Sequence, residues 1–218
     1  MNSSLRLFGY WRSSAAYRVR IALNLKGLAY ESVPVHLVKN GGEQRTDAFL
    51  LLNPQGLVPV LQDGETTVHQ SLAIIEYLDE CYPSPALLPK EPASRARVRA
   101  LAMDIACDLH PLNNLRVLQY LENELGQLEP ARLAWVVHWV EMGLAGLEAQ
   151  LSASSSTGDF CHGDQPSLAD CCLIPQLYNA RRFNVDLMPY PTLLAIEAKC
   201  LQLVAFSGAS PDKQADAP

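Results

Sequence analysis

The sequence predicts an α/β N-terminal domain followed by an all-α C-terminal domain, and three observations carry that prediction. Strand-like and helix-like segments alternate over the first eighty or so residues. A proline-rich stretch, Tyr82-Pro-Ser-Pro-Ala-Leu-Leu-Pro-Lys-Glu-Pro92, then breaks the pattern and reads as an interdomain linker, because it can propagate neither a helix nor a central strand. Beyond it, apolar residues recur at spacings of three and four with few β-branched runs. With 218 residues, 49% of them hydrophobic, the chain can bury a sizeable core.

Taken in order, Leu5–Tyr10 reads as extended and Ser14–Lys26 as helical, with Gly27 placed where a helix stop belongs. Tyr30–Val35 is extended again, a loop runs through Asn40-Gly41-Gly42, and a short helix lies near Asp47–Leu51. Val58–Leu61 and Thr66–Val68 flank the turn residues Gln62-Asp63-Gly64-Glu65 and predict a hairpin, followed by a helix from Ser71 to Tyr82. The order β-α-β-α-β-β-α requires a mixed sheet and outlines a thioredoxin-like domain over residues 1–83. The helical domain is expected over 93–206, from the periodic segments Arg95–Tyr120, Pro130–Leu151 and Leu168–Arg181. Ser152–Gly158 is a loop, and the small, polar residues 207–218 are expected to form a disordered tail. Trp135, His138 and Trp139 share one helical face and read as core or subunit interface.

Seventeen basic against twenty-three acidic residues give a net charge of −6, which argues against nucleic acid or an anionic membrane surface as partner. No stretch approaches the roughly 20 apolar residues of a membrane span, and Met-Asn-Ser-Ser-Leu-Arg lacks the features of a signal peptide, so a cytoplasmic protein is expected. The six cysteines form no C-x-x-C pair and read as reduced, mostly buried thiols, with no metal site.

Two helix starts are candidate binding positions. At Trp11-Arg12-Ser13-Ser14, a strand turns into a helix whose first residues carry hydroxyls. Unpaired backbone N–H groups and the helix dipole there favour an anion and would ease ionisation of a thiol. Gln70-Ser71 repeats this logic at a later helix. Serine at either place also suits plain capping. Val58-Pro59 stands at the entrance of an inner strand, where a cis bond would turn the Val58 backbone toward an open groove and an ordinary trans proline would not. A ligand with a thiol and carboxylates, such as glutathione, suits two anion-binding helix starts in one small domain.

Four separated segments resemble the zeta class of glutathione transferases, the group containing maleylacetoacetate and maleylpyruvate isomerases. They are Ser13-Ser14 with Arg18-Val-Arg-Ile-Ala-Leu23, Leu52-Asn-Pro-Gln-Gly-Leu-Val-Pro59, Gln70-Ser-Leu-Ala-Ile-Ile-Glu-Tyr-Leu78, and Arg182-Phe-Asn-Val-Asp-Leu-Met-Pro-Tyr-Pro191. The resemblance implies glutathione transferase architecture with glutathione as cofactor. Ser14 would support its thiolate, Ser13 would lie beside it, Val58 would pair with its cysteine, and Gln70 and Ser71 would hold its γ-glutamyl end. His110 and Asn114 would face glutathione or substrate; His110 reads either as a proton donor or as a structural residue. Arg12, assigned to catalysis with Ser14, and Arg182 would bind a dicarboxylate substrate, and without the resemblance Arg181-Arg182 reads as a charged helix end. Asp104 is either a ligand or a solvated residue. Ser167-Leu-Ala-Asp170 resembles a capping box with a folding role. Many zeta enzymes carry Cys where this chain has Ala15, which leaves no protein thiol at the turn.

The implied activity is glutathione-dependent cis–trans isomerisation of maleylacetoacetate in aromatic-compound breakdown, by a homodimer. The alternatives are maleylpyruvate as substrate, transfer of glutathione to small α-halo acids, and a non-enzymatic ligand-binding role.

Overall fold

A computed structural model describes residues 5–218; the first four residues of the domain expected over 1–83 lie outside the described residues. The chain divides into two compact units, one running through Leu87 and including Gln202–Pro218, the other Leu88–Leu201.

The first unit is built on a four-stranded mixed sheet of order β2-β1-β3-β4, with β1 Leu5–Gly9, β2 Tyr30–Pro34, β3 Val60–Asp63 and β4 Thr66–His69. β1 and β2 are parallel, as a crossover through α1 (Ser14–Leu25) requires, whereas β3 pairs antiparallel with both β1 and β4. Gly64, with φ of 58°, turns the β3–β4 hairpin. A four-residue α2 (Asp47–Leu50) precedes β3, and α3 (Ser71–Cys81) follows β4. The core lies between sheet and helices, with Leu7, Val60, Leu61, Ile74, Ile75 and Leu78 all buried.

α1 is buried from Ala16 to Leu23 on every side, so its cations need partners. Lys26, just after the helix, shows how this is met. Its ammonium donates to Asp79 Oδ1 at 2.8 Å and to the carbonyls of Tyr82 at 2.7 Å and Pro85 at 2.9 Å, which ties the end of α1 to the end of α3.

Residues 207–218 are a correction to the sequence reading: they pack within the first unit instead of forming a disordered tail. A short α9 (Val204–Ser207) and a 3₁₀ turn (Pro211–Lys213) form there. Polar composition concealed three anchors, Phe206, Ala209 and Pro211, which are buried. Tyr17 Oη donates to the Phe206 carbonyl at 3.2 Å and Asn24 Nδ2 to that of Ala205 at 3.1 Å.

The second unit is helical. The segment expected as one helix over Arg95–Tyr120 is interrupted, with α4 (Pro92–Met103) running into a π-helical turn (Asp104–Leu109), a 3₁₀ turn (His110–Asn113) and then α5 (Leu115–Asn123). Pro111 explains the break, since it lacks the N–H of an i→i−4 bond and its ring crowds the carbonyl four residues back. α6 (Glu129–Ser152), α7 (Leu168–Arg182) and α8 (Pro191–Gln202) complete the unit. Val98, Leu101, Val140, Leu144, Leu173 and Leu177 are among its buried residues. His138 is exposed and Trp135 and Trp139 are half-buried, so this face is not core; Trp135 Nε1 donates to the Leu112 carbonyl at 2.7 Å. Among the described residues no helix is long and apolar enough to cross a membrane, and no cluster of side chains could hold a metal ion.

Candidate functional site

The start of α1 divides its two serines between two tasks. Ser13 is the N-cap, with extended backbone (φ −68°, ψ 118°), and its hydroxyl accepts the Ala16 N–H at 3.2 Å. Its own N–H closes the preceding turn on the Tyr10 carbonyl at 2.9 Å. Ser14 is the first helical residue, half-buried, and its hydroxyl makes no hydrogen bond among the described residues. Arg12 stacks its guanidinium over the Trp11 ring at 5.3 Å and has no carboxylate partner among the described residues. A free hydroxyl donor, a free cation and the positive end of a twelve-residue helix therefore converge on one turn, an arrangement that stabilises an anion.

The loop before β3 is organised by Asn53. This residue is 2% exposed; its Nδ2 donates to the Leu57 carbonyl at 2.7 Å and its Oδ1 accepts the Gln55 N–H at 3.1 Å. Gly56 takes φ of 61°, and a Cβ there would stand 3.2 Å from the Gln44 carbonyl oxygen. The Val58–Pro59 bond that follows is cis. Pairing of β3 starts at Val60, so the peptide groups of half-buried Val58 stay out of the ladder.

At the start of α3, Gln70 adopts φ 72° and ψ 120°, a left-handed conformation uncommon for a residue with a side chain. Its exposed side chain makes no capping bond. Ser71 is 5% exposed and accepts a hydrogen bond from Nη1 of Arg18 at 3.2 Å; Arg18 itself is 2% exposed. With its oxygen so engaged, the Ser71 hydroxyl is left to act as a donor.

In the second unit, Asn114 caps α5 through its Oδ1, which accepts the Arg116 N–H at 3.2 Å. That bond fixes the amide orientation and turns Nδ2 toward His110 Nε2 at 3.4 Å, a hydrogen bond in the tautomer that leaves Nε2 unprotonated. Asp104 accepts from Gln150 Nε2 at 3.0 Å. The two arginines at the end of α7 differ: Arg181 is held by both carboxylate oxygens of buried Glu197, whereas exposed Arg182 stacks on Phe183 at 4.8 Å. Asn184, at φ 56°, then reverses the chain.

All six cysteines are free thiols. Burial pushes Cys161 and Cys171 well above the usual thiol range, and the residue that follows Ser14 at the α1 turn is Ala15, which carries no thiol. The sequence points to Arg12, Ser13, Ser14, Val58, Gln70 and Ser71 in the first unit and to His110, Asn114 and Arg182 in the second. It gives no role to Asn53 or Arg18, whose partners are set by loop geometry and by a contact 53 residues away.

Residues 7–86 match the family model for the glutathione S-transferase N-terminal domain and residues 140–198 that for the C-terminal domain. A probable maleylacetoacetate isomerase of Vibrio cholerae is 55% identical, with 98% of this chain and 99% of that protein covered. A holo structure of maleylpyruvate isomerase, described as a bacterial zeta-class glutathione S-transferase, superposes with a TM-score of 0.95 at 49% identity over 98% of this chain and all of that one. A maleylacetoacetate isomerase from Methylobacterium extorquens, solved with bound malonate and glutathione, gives 0.94 at 45% identity over 98% and 99%.

Proposed function

Since the chain belongs to the zeta class of the glutathione S-transferase family, we propose that it is a glutathione-dependent isomerase converting maleylacetoacetate to fumarylacetoacetate. The observation that carries this reading is the division of labour at α1: Ser13 is spent on capping, and Ser14 keeps a free hydroxyl at the positive helix end. The donor set fits glutathione. Val58 offers unpaired peptide groups to its cysteine, and Gln70 with Ser71 offers donors at a helix start to its γ-glutamyl carboxylate. The bound malonate of the Methylobacterium relative is a dicarboxylate, which supports a dicarboxylate substrate here.

When bound, glutathione supplies a soft thiolate that can add reversibly to a conjugated double bond and so permit rotation about it. Ser14 donates to that thiolate and, with the α1 dipole, shifts the thiol toward its ionised form near neutrality. Arg12 binds a substrate carboxylate through its guanidinium, and Arg182 is assigned the other on the strength of its zeta motif. His110 and Asn114 complete the proposed set as a hydrogen-bonded pair, with His110 in an orienting role. We further propose a cytoplasmic homodimer.

The test follows ultraviolet absorbance of maleylacetoacetate and, separately, of maleylpyruvate with purified protein, with and without catalytic glutathione. Glutathione-dependent formation of the fumaryl product from maleylacetoacetate is expected. Turnover of maleylpyruvate alone would reassign the substrate. Consumption of glutathione, or halide release from an α-halo acid with neither isomerisation, would replace the isomerase reading by a transferase one.

A further inference from the structure

We propose that Asp216, in the C-terminal segment, is a positioning residue for the turn that presents Arg12, Ser13 and Ser14. The proposal rests on the reading of Ser14 as the thiolate donor.

The turn from Tyr10 to Ser13 belongs to neither strand nor helix, so no ladder fixes its peptide groups. At Trp11 both are held from outside. The N–H donates to Oδ2 of Asp216 at 2.9 Å, and the carbonyl accepts from Nη2 of Arg20 at 2.9 Å. Arg20 is 3% exposed, and its Nε donates to the carbonyl of Ala209 at 3.0 Å. The same guanidinium therefore grips the turn and the segment that carries Asp216. Burial brings the Arg20 pKa down to about 10, still far above neutrality, so the group is charged and its attraction to Asp216 persists. Buried Phe206 and Ala209 anchor the approach, and Gln214 Nε2 donates to the Ser210 carbonyl at 2.9 Å just before Asp216 is reached. Arg12, Ser13 and Ser14 follow Trp11 directly, so a shift of its peptide is passed to the hydroxyl.

The charge and the position of Asp216 act on a bound thiol with opposite signs. A carboxylate near the site disfavours a thiolate, whereas a carboxylate that fixes the donor favours it. If positioning dominates, Asp216→Ala raises the apparent pKa of the bound glutathione thiol; if the charge dominates, it lowers it. Asp216→Asn keeps an acceptor oxygen for the Trp11 N–H and removes the charge.

The experiment measures, on the full chain, the pH profile of thiolate absorbance with bound glutathione, kcat with maleylacetoacetate, and the melting temperature. Asp216→Ala is expected to lower kcat about threefold to tenfold and to raise the thiol pKa, while Asp216→Asn stays within about twofold of the wild type. A thiol pKa that falls in Asp216→Ala, an unchanged kcat, or a loss of kcat that matches the unfolded fraction would overturn the proposal. Should Asp216→Ala fail to fold, Asp216→Glu, which displaces the acceptor by one methylene, carries the same test. Ser14→Ala is measured beside them. If it leaves both readings unchanged, the thiolate assignment itself fails; if it impairs them and Asp216→Ala does not, only the positioning role of Asp216 fails.

Discussion

The starts of α1 and α7 both carry a serine N-cap, and they end in opposite states. At α7 the capping is reciprocal. Asp170, 0% exposed, accepts the Ser167 N–H at 2.8 Å, the Ser167 hydroxyl at 2.7 Å and the Cys161 N–H at 2.8 Å. At α1 the third helical position is Ala16, which has nothing to return, and the first, Ser14, leaves its hydroxyl free. The same residue type thus closes one helix start and opens the other. A helix start closed by a reciprocal box and a buried carboxylate has less capacity left for an anion; one capped on a single side keeps more donors and its dipole available.

The largest expected effect breaks the closed end. Asp170→Ala leaves two buried N–H groups and a buried hydroxyl without their acceptor and is expected to cost about 3 kcal/mol or more of stability, read by urea unfolding. At temperatures where that variant remains folded, glutathione affinity should be unchanged; a marked loss of affinity would deny the purely structural role of this start.

A smaller pair of effects sharpens the comparison at the open end. Ser14→Ala is expected to lower kcat about tenfold or more while changing stability by less than about 0.5 kcal/mol. Ser13→Ala should do the reverse, costing about 1 kcal/mol through the lost cap with a lesser loss of turnover. Equal effects of the two on both quantities would show that the serines are not divided as the hydrogen bonds indicate.

This contrast was largely written in the sequence. Ser167-Leu-Ala-Asp170 carries an acid three residues after its serine, and Ser13-Ser-Ala-Ala16 does not. The mixed sheet was legible as well, because a hairpin signal after a parallel crossover allows little else. What stayed hidden depended on distance along the chain. Asp216 reaches Trp11 across 205 residues, and nothing in Gln-Ala-Asp-Ala-Pro218 distinguishes that aspartate from a solvated one. Arg18 and Arg20 fall on a helix buried on all sides, where apolar periodicity gives no signal for the cations. The break in the helix expected over Arg95–Tyr120 was signalled by Pro111, but the spacing of apolar residues on either side masked it.

A third helix start gives the smallest effect and separates capping from burial. Glu91 caps α4 in full view of solvent, its carboxylate accepting the N–H groups of Ala93 at 2.9 Å and Ser94 at 2.6 Å. Those backbone bonds hold its pKa below the usual glutamate value, because they favour the charged form. The proton is therefore bound more weakly in the folded chain than in the unfolded one. The stabilisation is complete above the ordinary glutamate pKa and is lost as pH falls through the lowered one. Glu91→Gln keeps one acceptor oxygen and cannot titrate, so it should be slightly less stable than the wild type near neutrality, and the difference should shrink on acidification as the wild type loses its charged cap. Urea midpoints measured from neutral to acidic pH check this; parallel curves for the two proteins would show that an exposed cap, unlike the buried one at α7, is already replaced by water.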